Sequence, residues 1–351
     1  MSFDLRRLGW SPFFAEHFQQ YESIGLVPGR VTVEERDAYL VRTEDGERWT
    51  EVTGRFRHDA PTPAHRPAVG DWVALDERIH ALLPRRTKFS RKVPWLKTEE
   101  QVLAANVDVV FLVMALTERD FNTRRLERYL VTAWESGAEP VVVLSKADLC
   151  DDVPSHLAEA EATAFGVPVH VTSAVTGDGL EELRAYFAGD RTAALLGSSG
   201  VGKSTLINAF AGSDQLKTNE IRSDGRGRHT TSHRELVLLP DGGLLVDTPG
   251  MRELQLWSAD SGLDETFSDV AELAARCRFN DCSHDGEPGC AVRAALADGS
   301  LDAGRLDSYE RLQRELHRLE VRLDKRLQAE ERKKRRAFAR SVRATMATKN
   351  R

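Results

Sequence analysis

The segment Gly197-Ser198-Ser199-Gly200-Val201-Gly202-Lys203-Ser204 fits the pattern GxxxxGK[ST]. It lies between an apolar run, Ala193–Leu196, and a helical pattern that opens at Lys203 and runs on through Thr205, Leu206, Ile207, Asn208, Ala209 and Phe210. Strand, glycine-rich loop and helix together are the context in which this pattern has a physical meaning. The glycines let successive backbone N–H groups turn inward around phosphates, and the helix N-terminus adds about half a positive charge. Lys203 is expected to reach the β- and γ-phosphates and the Ser204 hydroxyl to bind Mg²⁺.

The chain on either side alternates as such a loop requires. Val107–Leu116 is a buried apolar run, Thr123–Ser136 has helical periodicity, and Pro140–Leu144 is another apolar run. Ser155–Phe165 reads as helix, Val167–Thr172 as strand and Leu180–Phe187 as helix. Strands alternating with helices predict a parallel, doubly wound α/β sheet. Leu236–Leu239 and Leu244–Asp247 read as a hairpin across Pro240–Gly243.

Asp247-Thr248-Pro249-Gly250 ends the second strand of that hairpin. An Asp at such a strand end holds Mg²⁺ in phosphate-loop enzymes, and the N–H of the Gly senses the γ-phosphate. Ser145-Lys146-Ala147-Asp148 ends the run PVVVL and resembles the NKxD guanine-reading motif. The Asp carboxylate accepts from guanine N1–H and the 2-amino group. Adenine offers neither donor and would leave a buried carboxylate unpaired, at about 1–3 kcal/mol or more. Ser145 stands where the motif has Asn, so one carboxamide contact, to the base or to the phosphate loop, is expected to be missing. Thr172-Ser173-Ala174 ends the next strand and resembles the SA motif, whose backbone N–H contacts the guanine oxygen. The motif set is complete but rotated: the base motifs precede the phosphate loop, and DTPG comes last. A doubly wound sheet permits this where its ends are close enough to be rejoined.

Cys277-x4-Cys282-x-His284-x5-Cys290 places three of the chain's four cysteines beside one His. Thiolates and a neutral imidazole suit tetrahedral Zn²⁺, and four protein ligands leave no open position, so a structural ion is expected. Cys150 stands apart and reads as a small apolar residue.

Residues 1 to about 100 read as short β segments with turn residues between them, among them Gly29–Glu34, Ala38–Arg42, Trp49–Gly54 and Asp71–Leu75, which suggests a small barrel. Arg30, Arg42, Arg48, Arg55 and Arg57 lie among these strands with Trp49 and Phe56. Basic residues interleaved with aromatics fit single-stranded nucleic acid, the alternative being that the two aromatics are core. Beyond Gly262 the chain reads as helical, with Leu312, Leu316, Leu319, Leu323 and Leu327 spaced by three and four between Tyr309 and Phe338. The expected division is therefore a barrel over 1–100, a nucleotide-binding domain over 101–262 and a metal-bearing helical domain over 263–351.

The net charge of −6 hides two concentrated basic stretches. Arg332–Arg351 carries nine Lys/Arg and no acid, and Arg85, Arg86, Lys88, Arg91, Lys92 and Lys97 form a second cluster with no acid between its ends. Such clusters target phosphate-rich partners. The 41% hydrophobic and 30% charged composition excludes global disorder and a disulfide-stapled miniature fold. The longest apolar stretch, Val107–Leu116, contains an Asp and is half the length of a membrane span, so no membrane partner is expected. Charges in MSFDLRRLGW argue against a secretory signal, placing the chain in the cytoplasm. Nothing in the sequence demands more than a monomer.

The rotated base motifs, Gly227-Arg228-His229-Thr230-Thr231, DTPG, AVGDWVAL in the first domain and CRFNDCSHDGEPGCAV over Cys277–Val292 together resemble one family over nearly the whole chain. It is the ribosome small-subunit-dependent GTPase A family, the circularly permuted GTPases of bacterial ribosome assembly. The resemblance implies an oligonucleotide-binding (OB) barrel, a permuted GTPase domain and a zinc-bearing helical domain. It further implies GTP hydrolysis stimulated by the small ribosomal subunit, in late maturation of that subunit and through its rRNA. Met251 stands where many GTPases place the Gln that orients the attacking water. His229 is the candidate the resemblance supplies instead. Thr230 or Thr231 is implied as the switch threonine, and Thr231 is implied with Ser204 and Asp247 as the Mg²⁺ set. A GTP-gated protein switch without an RNA role, and an ATP-dependent enzyme reusing the phosphate loop, are the competing readings.

Overall fold

The computed structural model describes residues 3–35, 37–60, 62–92, 100–117, 121–212, 234–247, 262–323 and 329. His229, Thr230, Thr231, Gly250, Met251, Lys97 and the Arg332–Arg351 tail lie outside the described residues. The elements in chain order begin with α1 (Pro12–Glu22), β1 (Val27–Glu35), β2 (Ala38–Thr43), β3 (Gly46–Glu51), α2 (Gly54–Asp59), β4 (Trp72–Leu75), β5 (Ile79–Leu82), β6 (Lys88–Lys92) and β7 (Glu100–Ala105). They continue with β8 (Val109–Ala115), α3 (Thr123–Ser136), β9 (Glu139–Ser145), α4 (Val153–Thr163), β10 (Val169–Val171), α5 (Leu180–Arg184), β11 (Thr192–Leu196), α6 (Lys203–Ala211), β12 (Arg234–Leu238) and β13 (Leu244–Asp247). The last are α7 (Gly262–Thr266), α8 (Ser268–Ala274), α9 (Ala291–Asp298) and α10 (Ala303–Leu323).

The central sheet runs β10-β9-β8-β11-β13-β12. β8, β9, β10, β11 and β13 are mutually parallel, and β12 returns antiparallel against β13. Every residue of β8 is buried, as a continuous apolar run predicts for a strand covered on both faces. Alternate β8 residues enter two separate cores: Val110, Leu112 and Met114 face α3 and α4, while Val109, Phe111 and Val113 face α6 and Phe187. Helix α3 starts where the Asn122 side chain accepts from Arg125 N and stops at Gly137 in the left-handed region. These elements coincide closely with the sequence expectation.

The N-terminal strands are continuous with this sheet. β1 pairs with β2, β4 and β12, so β13-β12-β1-β2-β3 extends one path, with Val33 opposite Glu235 and Glu34 opposite Arg234. Val31, Tyr39, Val41, Val52, Val73, Leu75 and Ile79 form the core of the β1–β5 layer. The β6–β7 hairpin spans the point where the sequence divides its first two regions, and Phe89 and Leu103 share a core with Val110 and Leu112.

Two of the arginines read as nucleic-acid-facing have other work. Arg30 is buried, and its guanidinium donates to Leu8 O, to Gly70 O at 3.2 Å, to Asn106 O at 3.1 Å and to Thr192 Oγ1 at 2.9 Å. It ties β1 to the first residue of β11. Burial lowers its pKa to about 10 against the pull of Asp108 and Asp71, which leaves it charged at neutral pH. Arg85 pairs with the fully buried Asp71 at 2.7 Å and donates to the carbonyls of Ala64 and Arg66. An arginine in a strand-rich segment does not announce which way it faces: β alternation turned Arg30 of β1 inward, and the loop between β5 and β6 brought Arg85 onto Asp71. Trp49, by contrast, is 53% exposed on the terminal strand β3, whereas Phe56 packs against the β1–β5 core.

Candidate nucleotide and metal sites

Strand order decides where the motifs meet. The chain steps from β8 outward to β9 and β10, then returns to place β11 on the other side of β8. That reversal is a switch point, and ligands of open α/β sheets bind outside the carboxyl ends of strands at such points. SKAD follows β9, TSA follows β10, the phosphate loop follows β11, and Asp247 ends β13. All four parallel strands open onto one edge.

The phosphate loop leaves β11 close against β8. A Cβ on Gly197 would lie 2.5 Å from the Val113 carbonyl oxygen, so only glycine fits at that turn. Gly202, at φ +96°, caps α6 and aims the first N–H groups of that helix back along the loop. Lys203 Nζ donates to Gly197 O at 2.7 Å and to Ser198 O, so its ammonium lies over the loop. Ser199, Gly200 and Thr205 are exposed around it, Val201 is buried beneath, and Ser204 is part-buried. Two hard oxygen donors fit Mg²⁺: the Ser204 hydroxyl in the first turn of α6, which follows β11, and the Asp247 carboxylate at the end of β13, the parallel neighbour of β11.

The SKAD loop is joined to the glycine-rich loop directly. Ser145 is buried, and its Oγ donates to Val201 O at 2.7 Å, with Met114 O at 3.2 Å. The phosphate-loop contact that loss of Asn puts in question is therefore kept by the hydroxyl. Lys146 sits at φ +61° and turns the chain into a helical turn over Ala147–Leu149. Asp148 Oδ1 accepts from Ser173 Oγ at 2.6 Å, and Ser173 Oγ in turn accepts from Val175 N and Thr176 N. Ala147 N donates to Thr172 O at 3.1 Å. SKAD and TSA thus form one hydrogen-bonded unit, with Ala174 part-buried at its edge.

Two contributors escaped the sequence reading. Arg125 Nη1 donates to Ser198 Oγ at 3.0 Å, and the Tyr129 hydroxyl lies 3.2 Å from the same oxygen. Their spacing of four residues on a predicted helix is the signal available, and an apolar stripe beside them masked it.

Cys277, Cys282, His284 and Cys290 converge with all donor atoms within 4.8 Å of one another. Cys277 Sγ is 3.9 Å from Cys290 Sγ and 3.7 Å from His284 Nδ1, which is 3.5 Å from Cys290 Sγ. Sulfur and nitrogen ligands around one tetrahedral Zn²⁺ stand about 3.5–3.8 Å apart, so the donor set fits the ion. Cys290 occupies the N-cap of α9 and its sulfur accepts from Arg293 N, a place that favours thiolate. Burial pushes the Cys277 thiol up, but hydrogen bonds from the Val292 and Ala291 backbone outweigh it and hold it below the usual thiol value. Among the described residues, no helix is long and apolar enough to cross a membrane.

Against known proteins, the model of the RsgA GTPase family matches residues 82–257. A small ribosomal subunit biogenesis GTPase RsgA from Opitutus terrae is 50% identical over 328 residues, covering 89% of each chain. One from Syntrophotalea carbinolica is 44% identical over 352 residues, covering 96% of each. Among solved structures, YjeQ from Thermotoga maritima is similar with a TM-score of 0.61 at 29% identity, over 83% of this chain and 98% of that one. YloQ, a circularly permuted GTPase, is similar with a TM-score of 0.58 at 26% identity, over 83% and 95%.

Proposed function

Because the chain belongs to the RsgA family, and is therefore a GTPase of small ribosomal subunit biogenesis, we propose that the small subunit stimulates its turnover and that it acts late in that subunit's maturation through rRNA. The observation that carries the site reading is the Ser145–Val201 hydrogen bond, which fixes the base-reading loop against the phosphate loop. A single nucleoside triphosphate then lies along the carboxyl edge of the sheet, its base at Asp148 and its γ-phosphate toward Lys203.

Asp148 accepts from guanine N1–H and the 2-amino group, with Ser173 holding the carboxylate in place. The Lys146 stem covers one face of the base, and the Ala174 N–H meets the guanine oxygen. The amides of Gly197–Thr205 and the Lys203 ammonium surround the phosphates. Ser204, Asp247 and Thr231 would hold Mg²⁺, which would supply charge neutralisation at the phosphates. Thr230 is the alternative to Thr231, and the Gly250 N–H faces the γ-phosphate. His229 orients the water that attacks the γ-phosphorus, since Met251 cannot. The bond from phosphorus to the β–γ bridging oxygen breaks, leaving GDP and phosphate. Cys277, Cys282, His284 and Cys290 would hold Zn²⁺, which would fix the loop before α9.

The three-part division expected from sequence is carried forward in the same reading, with an OB barrel over 1–100, the permuted GTPase domain over 101–262 and the zinc-bearing domain over 263–351. Exposed Trp49, the Arg55 side chain, and the basic tail supply the rRNA surface, and the chain works in the cytoplasm as a monomer. GTP turnover measured with and without purified small subunits tests the proposal. Stimulation of roughly tenfold or more is expected, because a partner that orders a phosphate-sensing loop in trans has effects of at least that size. Equal turnover in both conditions rejects it.

A further inference from the structure

Helix α3 touches the phosphate loop with one face and the C-terminal helices with another. Arg125 and Tyr129 lie one turn apart and therefore share a face. Both reach Ser198 Oγ, at 3.0 and 3.2 Å. Ser198 supplies one of the two carbonyls that receive the Lys203 ammonium.

An adjoining face is gripped along its length. Arg128 Nη2 meets Glu315 Oε2 at 2.6 Å, and Arg311 Nη2 stands 3.6 Å from Glu127 Oε2. Gly262 N donates to Glu135 Oε2 at 3.3 Å, and a Cβ on Gly262 would come within 2.4 Å of the Val131 carbonyl oxygen. Val131 belongs to the C-terminal core with Phe267, Leu312 and Leu316. Helix α10 is itself fixed by Arg305, which donates to Thr163 O and Thr266 O and pairs with Asp269. A helix of this length transmits a shift as a rigid body, since its internal hydrogen bonds leave no slack over two or three turns.

We propose that Arg125 is a positioning residue for GTP turnover. It acts through Ser198 to set the phosphate loop, and the hold of the C-terminal domain on the adjoining face of α3 sets where Arg125 stands. The inference rests on the reading of 197–205 as the loop that binds GTP. It gives the C-terminal domain a route to the phosphates that runs through described, packed residues.

The test compares Arg125→Ala, Arg125→Lys, Ser198→Ala and the Arg125→Ala/Ser198→Ala double variant in the full-length, zinc-loaded chain. Fluorescent GDP titration gives Kd, and turnover with saturating small subunits gives kcat and KM. Arg125→Ala and Ser198→Ala are each expected to lower kcat/KM about tenfold, as loss of a charge-assisted hydrogen bond implies. The double variant is expected to be no worse than the poorer single, and Arg125→Lys to recover part of the loss. Glu315→Ala, remote from the loop and half-exposed, reads the second half of the proposal. It is expected to lower stimulated kcat about threefold in the wild-type background and to add nothing to Arg125→Ala. Unchanged kcat/KM in a folded Arg125→Ala chain, additive losses with Ser198→Ala, or an undiminished Glu315→Ala effect on top of Arg125→Ala each overturn the inference. A wild-type chain that bound no GDP would instead reject the functional reading beneath it.

Discussion

Ser145 Oγ donates to the Val201 carbonyl oxygen across 2.7 Å and 56 residues of chain, and by that bond a serine keeps the base loop and the phosphate loop in register. Both groups are buried, so removing the hydroxyl leaves a carbonyl without its partner. Ser145→Ala is expected to weaken GDP binding about tenfold, equivalent to about 1–2 kcal/mol. Its guanine preference should be unchanged, because Asp148 is intact. Competition titrations with GDP and ADP read both quantities, and a lost preference with unaltered affinity would contradict this division of labour.

Asp148→Asn replaces an acceptor-only group with one that also donates. Guanine N1–H and the amide N–H₂ then oppose each other, whereas the 2-oxo group of xanthine finds a donor. GTP affinity should fall by at least about 100-fold, and XTP should compete better than GTP. Retained GTP preference in direct competition would remove Asp148 from the base pocket.

Arg30→Met keeps the length of a buried side chain and deletes every donor. Leu8 O and Asn106 O lose their partner together, and Gly70 O is left with the Asn106 side-chain amide alone. A loss of about 3 kcal/mol or more is expected, seen as a lower urea midpoint with an unchanged slope. A loss below about 1 kcal/mol would mean that water replaces the guanidinium.

Metal analysis should find one Zn²⁺ per chain, and Cys282→Ser should reduce it. Strong chelators should open the Cys277–Cys290 loop to protease before the GTPase sheet is cut, because metal binding there is folding energy. Chelation that left this loop as protected as before would refute a structural ion.

Burial raises the Glu127 carboxyl above its ordinary value of 4.5, with Ser308, Arg305 and Arg311 pulling the other way. A raised carboxyl binds its proton more tightly in the folded chain. Its favourable contribution is present below about pH 4.5 and is lost as pH climbs through the folded value. The stability of wild type relative to Glu127→Gln should therefore fall with rising pH over that window and then level off. Urea midpoints for the pair from about pH 4 to about pH 7.5 give the slope, and a difference that grew with pH would have the wrong sign.

The phosphate loop, the alternation from β8 to α6 and the Cys3His cluster were legible in sequence because each is local. A glycine at a fixed offset, an apolar period of two or 3.6, and four ligands within fourteen residues carry their physics in the spacing itself. The amphipathic start of α10 was legible for the same reason, although the helix begins at Ala303, before the apolar stripe that signalled it. What spacing could not give was direction. Arg30 read as a surface cation until strand alternation turned it toward β11, and Arg85 until the β5–β6 loop set it against Asp71. Arg125 drew no reading from the sequence, and only the crossing of α3 over the loop set it beside Ser198.

The sequence by itself determined which chemical groups this chain owns and in what order it makes its strands and helices, since those depend on residues a few positions apart. Tertiary structure alone decided which distant groups became neighbours: Ser145 with Val201, Arg30 with Thr192, Arg128 with Glu315. The physical reason is that such pairings depend on strand order and helix crossing, which are set by how whole apolar faces bury against one another.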